Sequence, residues 1–166
     1  MPHVWLSIGS NLDRDRCIAG AVTELRERYG ELILSRVYES EAVGFEGSPF
    51  YNLVAGFETD QPPEALAAVL RRIEDTFGRR RGPNKFAPRT LDIDLLTYGD
   101  LVSDDPSVDL PRDEITRYAF VLGPLAEVAG DERHPRTGQS YAELWAGFDR
   151  EGQTLRPVVF EFPARP

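Results

Sequence analysis

The chain has 166 residues, of which 41% are hydrophobic and 28% charged, a composition typical of a folded globular protein and not of a disordered chain. The formal net charge of −9 argues against a general nucleic-acid binder, and no apolar run approaches the ~20 residues that cross a bilayer. The lone Cys17 excludes an internal disulfide and a cysteine-based zinc site. We expect a single domain over residues 1–166 that acts as a monomer. We place it in the cytoplasm, because the N-terminus has no signal-peptide pattern.

The first hundred or so residues predict six elements in the order strand, helix, strand, strand, helix, strand. Asp13 before the first helix and the Pro62-Pro63 pair before the second are typical helix starts. The predicted ranges are strands at 4–8, 32–38, 50–58 and 90–98, and helices at about 14–29 and from the proline pair to near Gly78. This order predicts an α+β fold, a ferredoxin-like sandwich whose helices cover one face of the sheet.

The remaining residues predict additions to that core. A hairpin-like excursion is expected at 99–111, followed by helical segments at about 115–129 and 140–147 and a strand at 158–162. His134-Pro135 indicates a turn, and we expect no metal-binding role for it. The expected fold is therefore a ferredoxin-like core with a C-terminal helical and strand addition.

Two carboxylates interrupt the last core strand. Asp92 and Asp94 lie two residues apart, so their side chains share one face while Leu91, Ile93 and Leu95 bury the other. Aspartate is depleted in strands, and a pair at this spacing needs a reason. A divalent cation supplies one, because it relieves the repulsion between neighbouring carboxylates.

A basic segment precedes this strand. Residues 78–90 contain no acid and five basic side chains, those of Arg79, Arg80, Arg81, Lys85 and Arg89. Such a positive island on an acidic chain attracts anions. Together with the two aspartates it predicts a site for a metal-bound polyphosphate.

At these residues the sequence resembles the 6-hydroxymethyl-7,8-dihydropterin pyrophosphokinase (HPPK) family. The run Arg89-Thr-Leu-Asp-Ile-Asp-Leu-Leu is similar to that family's most specific signature, and Ile8-Gly-Ser-Asn-Leu is similar to its first strand and turn. Phe50-Tyr-Asn52, Arg72-Ile-Glu74 and Ala119-Phe120-Val-Leu follow in the expected order. The resemblance spans roughly residues 3 to 147 and implies a ferredoxin-like core, in agreement with the predicted elements.

The resemblance implies ATP-dependent pyrophosphoryl transfer to the hydroxymethyl group of 6-hydroxymethyl-7,8-dihydropterin, with AMP as the second product. It implies that Asp92 and Asp94 hold two Mg²⁺ ions that bridge the triphosphate, and that Arg79 and Arg89 clamp the phosphates. The expected partners are then ATP and the pterin, with no nucleic acid and no membrane.

The resemblance also implies two groups of binding residues. The nucleotide side comprises Glu74, Arg81, Lys85, Leu95 and Arg112. On the acceptor side, Phe50 and Phe120 would stack on the ring and the Asn52 amide would hydrogen-bond its edge. Nearby polar or backbone groups complete this side: Asn11, Ser40 and Val43. Stacking combined with amide hydrogen bonds suits a flat heteroaromatic ring. Without the resemblance, each phenylalanine would be assigned to the core, Glu74 to an exposed helix face and Asn11 to an ordinary turn.

Five positions depart from the family pattern: Lys85, Phe86, Ala87, Arg112 and Tyr118. Arg112 replaces a histidine, and Tyr118 replaces an arginine two residues before the stacking Phe120. The neighbouring Arg117 is a candidate to supply the lost charge. We expect these changes to re-tune nucleotide binding and to leave the chemistry intact.

Two other functions fit the same residues. A diverged, non-catalytic or low-activity pterin- or nucleotide-binding paralogue would account for Arg112 and Tyr118, and it would bind ligand without forming AMP. A two-metal phosphodiesterase or nuclease also uses paired aspartates beside arginines. The acidic chain and the aromatic pair argue against the nuclease.

Overall fold

A computed structural model of the chain describes residues 1–41, 49–77 and 91–164. The strands in these ranges are β1 (His3–Ser10), β2 (Ile33–Leu34), β3 (Val37–Ser40), β4 (Phe50–Glu58), β5 (Asp92–Tyr98), β6 (Ser103–Asp105), β7 (Val108–Leu110) and β8 (Arg156–Val158). The helices are α1 (Arg14–Tyr29), α2 (Pro63–Thr76), α3 (Ala119–Ala129) and α4 (Tyr141–Ala146), with a 3-10 turn at Asp113–Thr116. None of the described helices combines the length and the hydropathy needed to span a bilayer.

The main sheet follows the strand order β5-β1-β4-β3-β8, with β2 also paired to β4 and all neighbours antiparallel. Strands β6 and β7 form the expected separate hairpin. Helix α1 connects β1 to β3, and β4 lies between these two strands in the sheet. Helix α2 connects β4 to β5, and β1 lies between those two strands. These two interlocked units are the ferredoxin-like topology, and the predicted fold class is confirmed.

Helix α1 begins where expected, but the Asp13 side chain does not cap it. Asp13 has left-handed backbone angles (φ 48°, ψ 44°) and makes no side-chain capping hydrogen bond. A capping residue is normally extended, which aims its oxygen at the first-turn amides. The Asp13 carboxylate instead lies 3.6 Å from the Arg16 guanidinium. Gly30, at φ 80°, ends the helix and donates its N–H to Arg26 O.

The strand predicted at 32–38 is divided into β2 and β3. Ser35 causes the break, because both its N–H and its side chain bond to one residue of β4. The Ser35 N–H donates to Val54 O at 2.9 Å, and the Val54 N–H donates to Ser35 Oγ at 2.9 Å. The ladder is therefore interrupted, while the N–H and the C=O of Val54 both keep a partner in Ser35.

Helices cover both faces of the sheet, which corrects the expectation of a single covered face. Helices α1 and α2 pack on the first face, over residues such as Leu6 and Leu53. Helices α3 and α4 pack on one part of the second face, over Trp5, Val54 and Leu96. Helix α3 buries seven of its eleven residues, so it needs apolar contacts on more than one side.

The chain after α4 completes the sheet. The predicted strand at 158–162 is largely wrong, since β8 covers Arg156–Val158 and pairs with β3. Phe160 and Phe162 pack against the core on the first face in irregular chain. Their rings are apolar enough to predict a strand, but pairing with β3 ends at Val158.

Candidate active site

The part of the second face that α3 leaves uncovered is polar. Ser7 and Gly9 on β1, Asn52 on β4, and Asp92 and Asp94 on β5 share this face, because residues two apart on a strand point the same way. Gly9 pairs with Asn52 on one side and Asp92 on the other, and Ser7 pairs with Asp94. Three adjacent strands thus bring these groups into one patch.

A cavity of about 250 Å³ lies over this patch, which we name the aromatic cavity. Its lining combines the rings of Phe50, Tyr118 and Phe120 with the carboxylates of Asp92 and Asp94. The apolar walls suit a flat ring, and the carboxylates suit a cation or a metal-bound group at one end. The arrangement fits a ring that carries a reactive substituent.

The Asn52 amide is held in a fixed orientation. Asn52 is 3% exposed, and its Nδ2 donates a hydrogen bond to Ser40 Oγ at 2.7 Å. Gly9 leaves room for it, since a Cβ at Gly9 would lie 3.1 Å from Asn52 Oδ1. Buried and hydrogen-bonded, the amide can recognise the edge of a ring by its polar atoms without first reorganising.

The two aspartates lie on the cavity side of β5, while Leu91, Ile93 and Leu95 are buried on the other side. The predicted division of the strand into two faces is confirmed. The Asp94 side chain is 44% exposed. Across the described ranges, no group of three or more His, Cys, Asp or Glu side chains could hold a metal ion. A pair of carboxylates suits Mg²⁺, which keeps several waters and takes phosphate oxygens.

Arg112 stands beside the aspartates. Its Nη2 lies 3.8 Å from Asp94 Oδ1, and its Nε donates to Glu114 Oε2 at 2.7 Å. Burial alone would lower the pKa of the Arg112 guanidinium, but the nearby Asp94 and Glu114 carboxylates outweigh it and raise that pKa above its usual value. Arg112 is therefore a permanent cation, held by Glu114, next to the proposed metal ligands.

A second cavity, of about 230 Å³, lies between α2, β5 and the β6–β7 hairpin. Glu74, Leu95 and Arg112, all predicted on the nucleotide side, line it. Asp94 and Arg112 border both cavities. A group passed from one cavity to the other would cross at these two residues.

Glu74 is a buried residue of α2, not an exposed one, with 2% exposure. Its Oε2 accepts a hydrogen bond from the Ile93 N–H at 2.8 Å. Ile93 lies between the two aspartates on β5, the last strand of the sheet on that side. Glu74 therefore helps to hold the backbone that carries both carboxylates.

Tyr118 and Phe120 form a stacked pair, with ring centroids 5.1 Å apart and ring planes inclined by 16°. Arg117 does not line the aromatic cavity. Its Nη1 lies 3.0 Å from Asp113 Oδ2, and its side chain is 58% exposed. Arg117 thus pairs with Asp113 outside the cavity, and the Tyr118 ring lines the cavity wall.

Asn11 is 3% exposed and lines neither cavity. Within the described ranges its amide nitrogen and oxygen have no hydrogen-bond partner. A buried amide without hydrogen bonds lowers the stability of the fold unless another group bonds to it. Its predicted role at the acceptor site stays a prediction.

Comparison with known proteins identifies the family. The profile of the 7,8-dihydro-6-hydroxymethylpterin-pyrophosphokinase (HPPK) family matches residues 5–130. The chain belongs to the HPPK family. The resemblance inferred from the sequence motifs is thereby confirmed.

Relatives of known name are similar along most of the chain. A 2-amino-4-hydroxy-6-hydroxymethyldihydropteridine pyrophosphokinase of Pseudomonas aeruginosa is 37% identical over 154 residues, which are 90% of this chain and 94% of that protein. The protein of the same name from Aquifex aeolicus is 34% identical, over 81% of this chain and 85% of its own. The folic acid synthesis protein fol1 of Pneumocystis carinii is 35% identical over 95% of this chain, which spans only 22% of fol1.

Solved structures show the same fold. A crystal structure of Plasmodium falciparum HPPK-DHPS superposes with a TM-score of 0.68 at 13% identity, covering 87% of this chain and 45% of that chain. A structure of HPPK-DHPS in complex with substrates gives a TM-score of 0.68 at 11% identity and the same coverage of this chain. The HPPK-like fold therefore occupies less than half of those longer chains.

Several predicted residues lie outside the described ranges. These are Val43 on the acceptor side and four basic residues on the nucleotide side, Arg79, Arg81, Lys85 and Arg89. The departures at Phe86 and Ala87 also lie there. Of the remaining predicted residues, Ser40, Phe50, Asn52, Phe120, Asp92 and Asp94 line the aromatic cavity, and Arg112 lines both cavities.

Ser7 and Glu114 are among the cavity residues that were not predicted as site residues from the sequence. Ser7 lies opposite Asp94, and Glu114 holds Arg112. The alternation of β1 contained a signal for Ser7, because it shares a face with Gly9 once the pairing with β5 is known. Glu114 lies in the 3-10 turn directly after Arg112, and no motif in the sequence marked it as a site residue.

Proposed function

We propose that this HPPK-family chain transfers the pyrophosphoryl group of ATP to the hydroxymethyl group of 6-hydroxymethyl-7,8-dihydropterin, releasing AMP, as a step of folate biosynthesis. The meeting of two cavities at Asp94 and Arg112 carries the proposal. The aromatic cavity offers a place for the acceptor, and the cavity beside α2 offers one for the nucleotide. The names of the Pseudomonas and Aquifex relatives support the same reaction.

In this reaction the acceptor hydroxyl oxygen forms a bond to the β-phosphorus of ATP. The bond from that phosphorus to the oxygen bridging the α-phosphate breaks, and AMP leaves with that oxygen. The hydroxyl proton passes to solvent or to a phosphate oxygen. Such transfer depends on positioning and electrostatics, so no dedicated general base is required.

Asp92 and Asp94 fit a magnesium site, because both carboxylates border the cavity where the phosphates would lie. The proposal includes two Mg²⁺ ions, which when bound would neutralise the triphosphate and the charge on the leaving oxygen. Arg112, 3.8 Å from Asp94, adds a positive charge that does not titrate near neutral pH. Glu114 keeps that charge at the boundary of the two cavities.

For the acceptor, we place the pterin ring against Phe50 and Phe120, with the Asn52 amide at its polar edge. The hydrogen bond that Asn52 Nδ2 donates to Ser40 Oγ would hold the amide in one orientation toward the ring. Backbone groups from Ser40 to Val43 complete the proposed acceptor site, and we assign the Asn11 amide, which lines neither cavity, a supporting place outside the lining. Flat aromatic walls with a few convergent polar groups are usual for such ligands.

For the nucleotide, we place ATP beside Glu74, Leu95 and Arg112. The proposed phosphate clamps are Arg79 and Arg89, with Arg81 and Lys85 beside them. Arginine suits this role because its planar fork matches phosphate oxygens. We further propose that residues 1–166 are one catalytic domain, monomeric and cytoplasmic, that binds no nucleic acid.

The test is to mix the purified protein with Mg-ATP and 6-hydroxymethyl-7,8-dihydropterin and to resolve the nucleotide products. AMP formed in step with pterin diphosphate is the expected result. ADP would contradict pyrophosphoryl transfer, because it indicates transfer of a single phosphoryl group. Hydrolysis of a dinucleotide or DNA substrate would support the nuclease instead.

A pterin-binding protein without turnover is the second candidate. The stacked Tyr118–Phe120 pair favours it, because an aromatic ring stands where the family pattern has an arginine. Calorimetry distinguishes the two, since this candidate predicts stoichiometric pterin binding and no AMP. The variant Tyr118→Arg should then create or raise turnover if the lost charge is the cause.

A further inference from the structure

The N-terminus of α3 has no cap of its own. Tyr118 occupies the cap position in an extended conformation, and its side chain makes no capping hydrogen bond. The first amides of a helix have no partner within the helix, so an uncapped start is destabilised and frays. The start of α3 is also a wall of the aromatic cavity, because Tyr118, Phe120 and Val121 line it.

Gln153 supplies the missing cap from 34 residues away. Its Oε1 accepts a hydrogen bond from the Ala119 N–H at 2.7 Å, and its Nε2 donates one to Arg117 O at 3.2 Å. One amide group therefore bonds to the backbone on both sides of Tyr118. The two bonds restrain the segment that carries the stacked Tyr118 and Phe120 rings.

Gln153 is itself held in place by the turn before it. The Gln153 N–H donates to Arg150 O at 2.9 Å, and the Glu151 N–H donates to Asp149 Oδ1 at 3.0 Å. Gly152 has φ 78°, a left-handed conformation that favours glycine and lets the turn close. The turn thus presents the Gln153 amide to α3 from a constrained backbone.

The next residues anchor the chain on α3 and on the sheet. Leu155 packs over Gly123 of α3 so closely that a Cβ there would lie 2.8 Å from Leu155 Cδ2. Beyond it, β8 pairs with β3, and Arg156 Nη2 donates to Glu39 Oε1 at 2.6 Å. Glu39 precedes Ser40, another residue lining the cavity. Residues 149–158, which we call the C-terminal segment, therefore contact residues adjacent to two walls of the aromatic cavity.

The geometry points to Gln153 as a positioning residue for the acceptor site: through Arg117 O and the Ala119 N–H it sets the place of Tyr118 and Phe120. This inference rests on the proposed function, because it assumes that those rings contact the pterin. It extends the site beyond residues 5–130, the part that matches the family profile. The C-terminal segment then contributes to substrate affinity in addition to completing the sheet.

The test compares the Michaelis constants for the two substrates in Gln153→Ala. Losing the two hydrogen bonds should raise KM for the pterin about three- to tenfold and leave KM for ATP within about twofold. Gln153→Glu should recover only part of the loss, because a carboxylate accepts the Ala119 N–H and is favoured at a helix N-terminus but cannot donate to Arg117 O. Glu151→Ala, two residues away in the same turn, is the control with unchanged constants, since among the described residues only its backbone N–H makes a hydrogen bond.

Hydrogen exchange separates this inference from the proposed function. Amides of residues 117–121 should exchange faster in Gln153→Ala than in the parent protein, whether or not the protein turns over pterin. Unchanged exchange there, or an equal rise of both Michaelis constants together with a lowered Tm, would overturn the role of Gln153. A parent protein that makes no AMP would overturn the proposed function, and the exchange data would still decide whether Gln153 holds α3.

Discussion

The second face of the sheet has two ends of opposite character, although the same strands form both. One is an apolar end covered by helices, the closed end, and the other is the polar end at the aromatic cavity, the open end. At the closed end, Trp5 on β1 lies opposite Gly56 on β4. At the open end, Gly9 on β1 lies opposite Asn52 on β4. In each pair the glycine leaves room for its partner, because a Cβ on Gly56 would overlap the Trp5 ring and one on Gly9 would lie 3.1 Å from Asn52 Oδ1.

The cover on each end makes the difference. Residues of α3 and Tyr141 of α4 pack over Trp5 and Val54, so burial of apolar surface stabilises the closed end. At the open end, α3 contributes only its first turn to the cavity wall, and Asn52 and the aspartates face the cavity. Strand alternation decides which side chains share a face, and helix placement decides whether they become core or site.

Asp92→Asn and Asp94→Asn test the open end most severely. Each should lower the rate of AMP formation by at least about a hundredfold, because removing one charge at the proposed metal site removes transition-state stabilisation. The melting temperature should change little, since both side chains border the cavity and not the core. Asp100→Asn, at an exposed position just after β5, is the matched control. Full turnover in either cavity variant would refute the metal assignment.

Gly56→Ala tests the closed end. The added methyl group overlaps the Trp5 ring, which is 2% exposed and has little room to move. Overpacking of this kind should lower the free energy of unfolding by about 1–3 kcal/mol, measurable by denaturant titration. Both Michaelis constants should stay at their parent values. A raised KM for pterin would show that the two ends are coupled.

Gly9→Ala makes the same chemical change at the open end, with the opposite expected outcome. The methyl group meets Asn52 Oδ1, so the amide must shift and the hydrogen bond to Ser40 weakens. KM for pterin should rise about three- to tenfold, as expected for one impaired hydrogen-bond network, with KM for ATP unchanged. Steady-state kinetics on both alanine variants completes the comparison. If Gly9→Ala loses stability and keeps its KM for pterin, Asn52 is a structural residue.

The smallest expected effect concerns pH at the closed end. His134 packs against Tyr141, and its Nδ1 accepts hydrogen bonds from the N–H groups of Arg136 and Thr137. Burial, and then the Arg136 charge, lower the pKa of His134. Neutral His134 therefore contributes stability above its unfolded pKa of about 6.5, and this contribution is lost as pH falls through the lowered folded value.

His134→Asn keeps an acceptor oxygen and removes the titration. Between pH 7 and pH 5 its melting temperature should fall less than that of the parent protein, measured by calorimetry. KM for pterin should show no difference between the two proteins at either pH. Parallel melting curves across this range would contradict a role for His134 protonation.

Much of the candidate site could be predicted from local sequence. The spacing of Asp92 and Asp94 determined their common face, because strand geometry depends only on sequence neighbours. The resemblance to the family also implied that Ser40, Phe50 and Asn52 belong together, and the structure places all three at one cavity. Contacts between distant segments could not be predicted in this way. Glu74 with Ile93 and Gln153 with Ala119 are joined by packing across the molecule, and no local pattern marks them.

The sequence by itself determined the order of the core elements, the ferredoxin-like topology and the two-faced β5, since these follow from periodicity and short-range connection rules. The tertiary structure decided which part of the second face is covered by α3 and which part remains a cavity. It also decided that the chain after α4 pairs with β3 and that its Gln153 amide reaches the start of α3. The physical reason is that burial and helix capping depend on which segments meet in space, and a one-dimensional pattern does not contain that information.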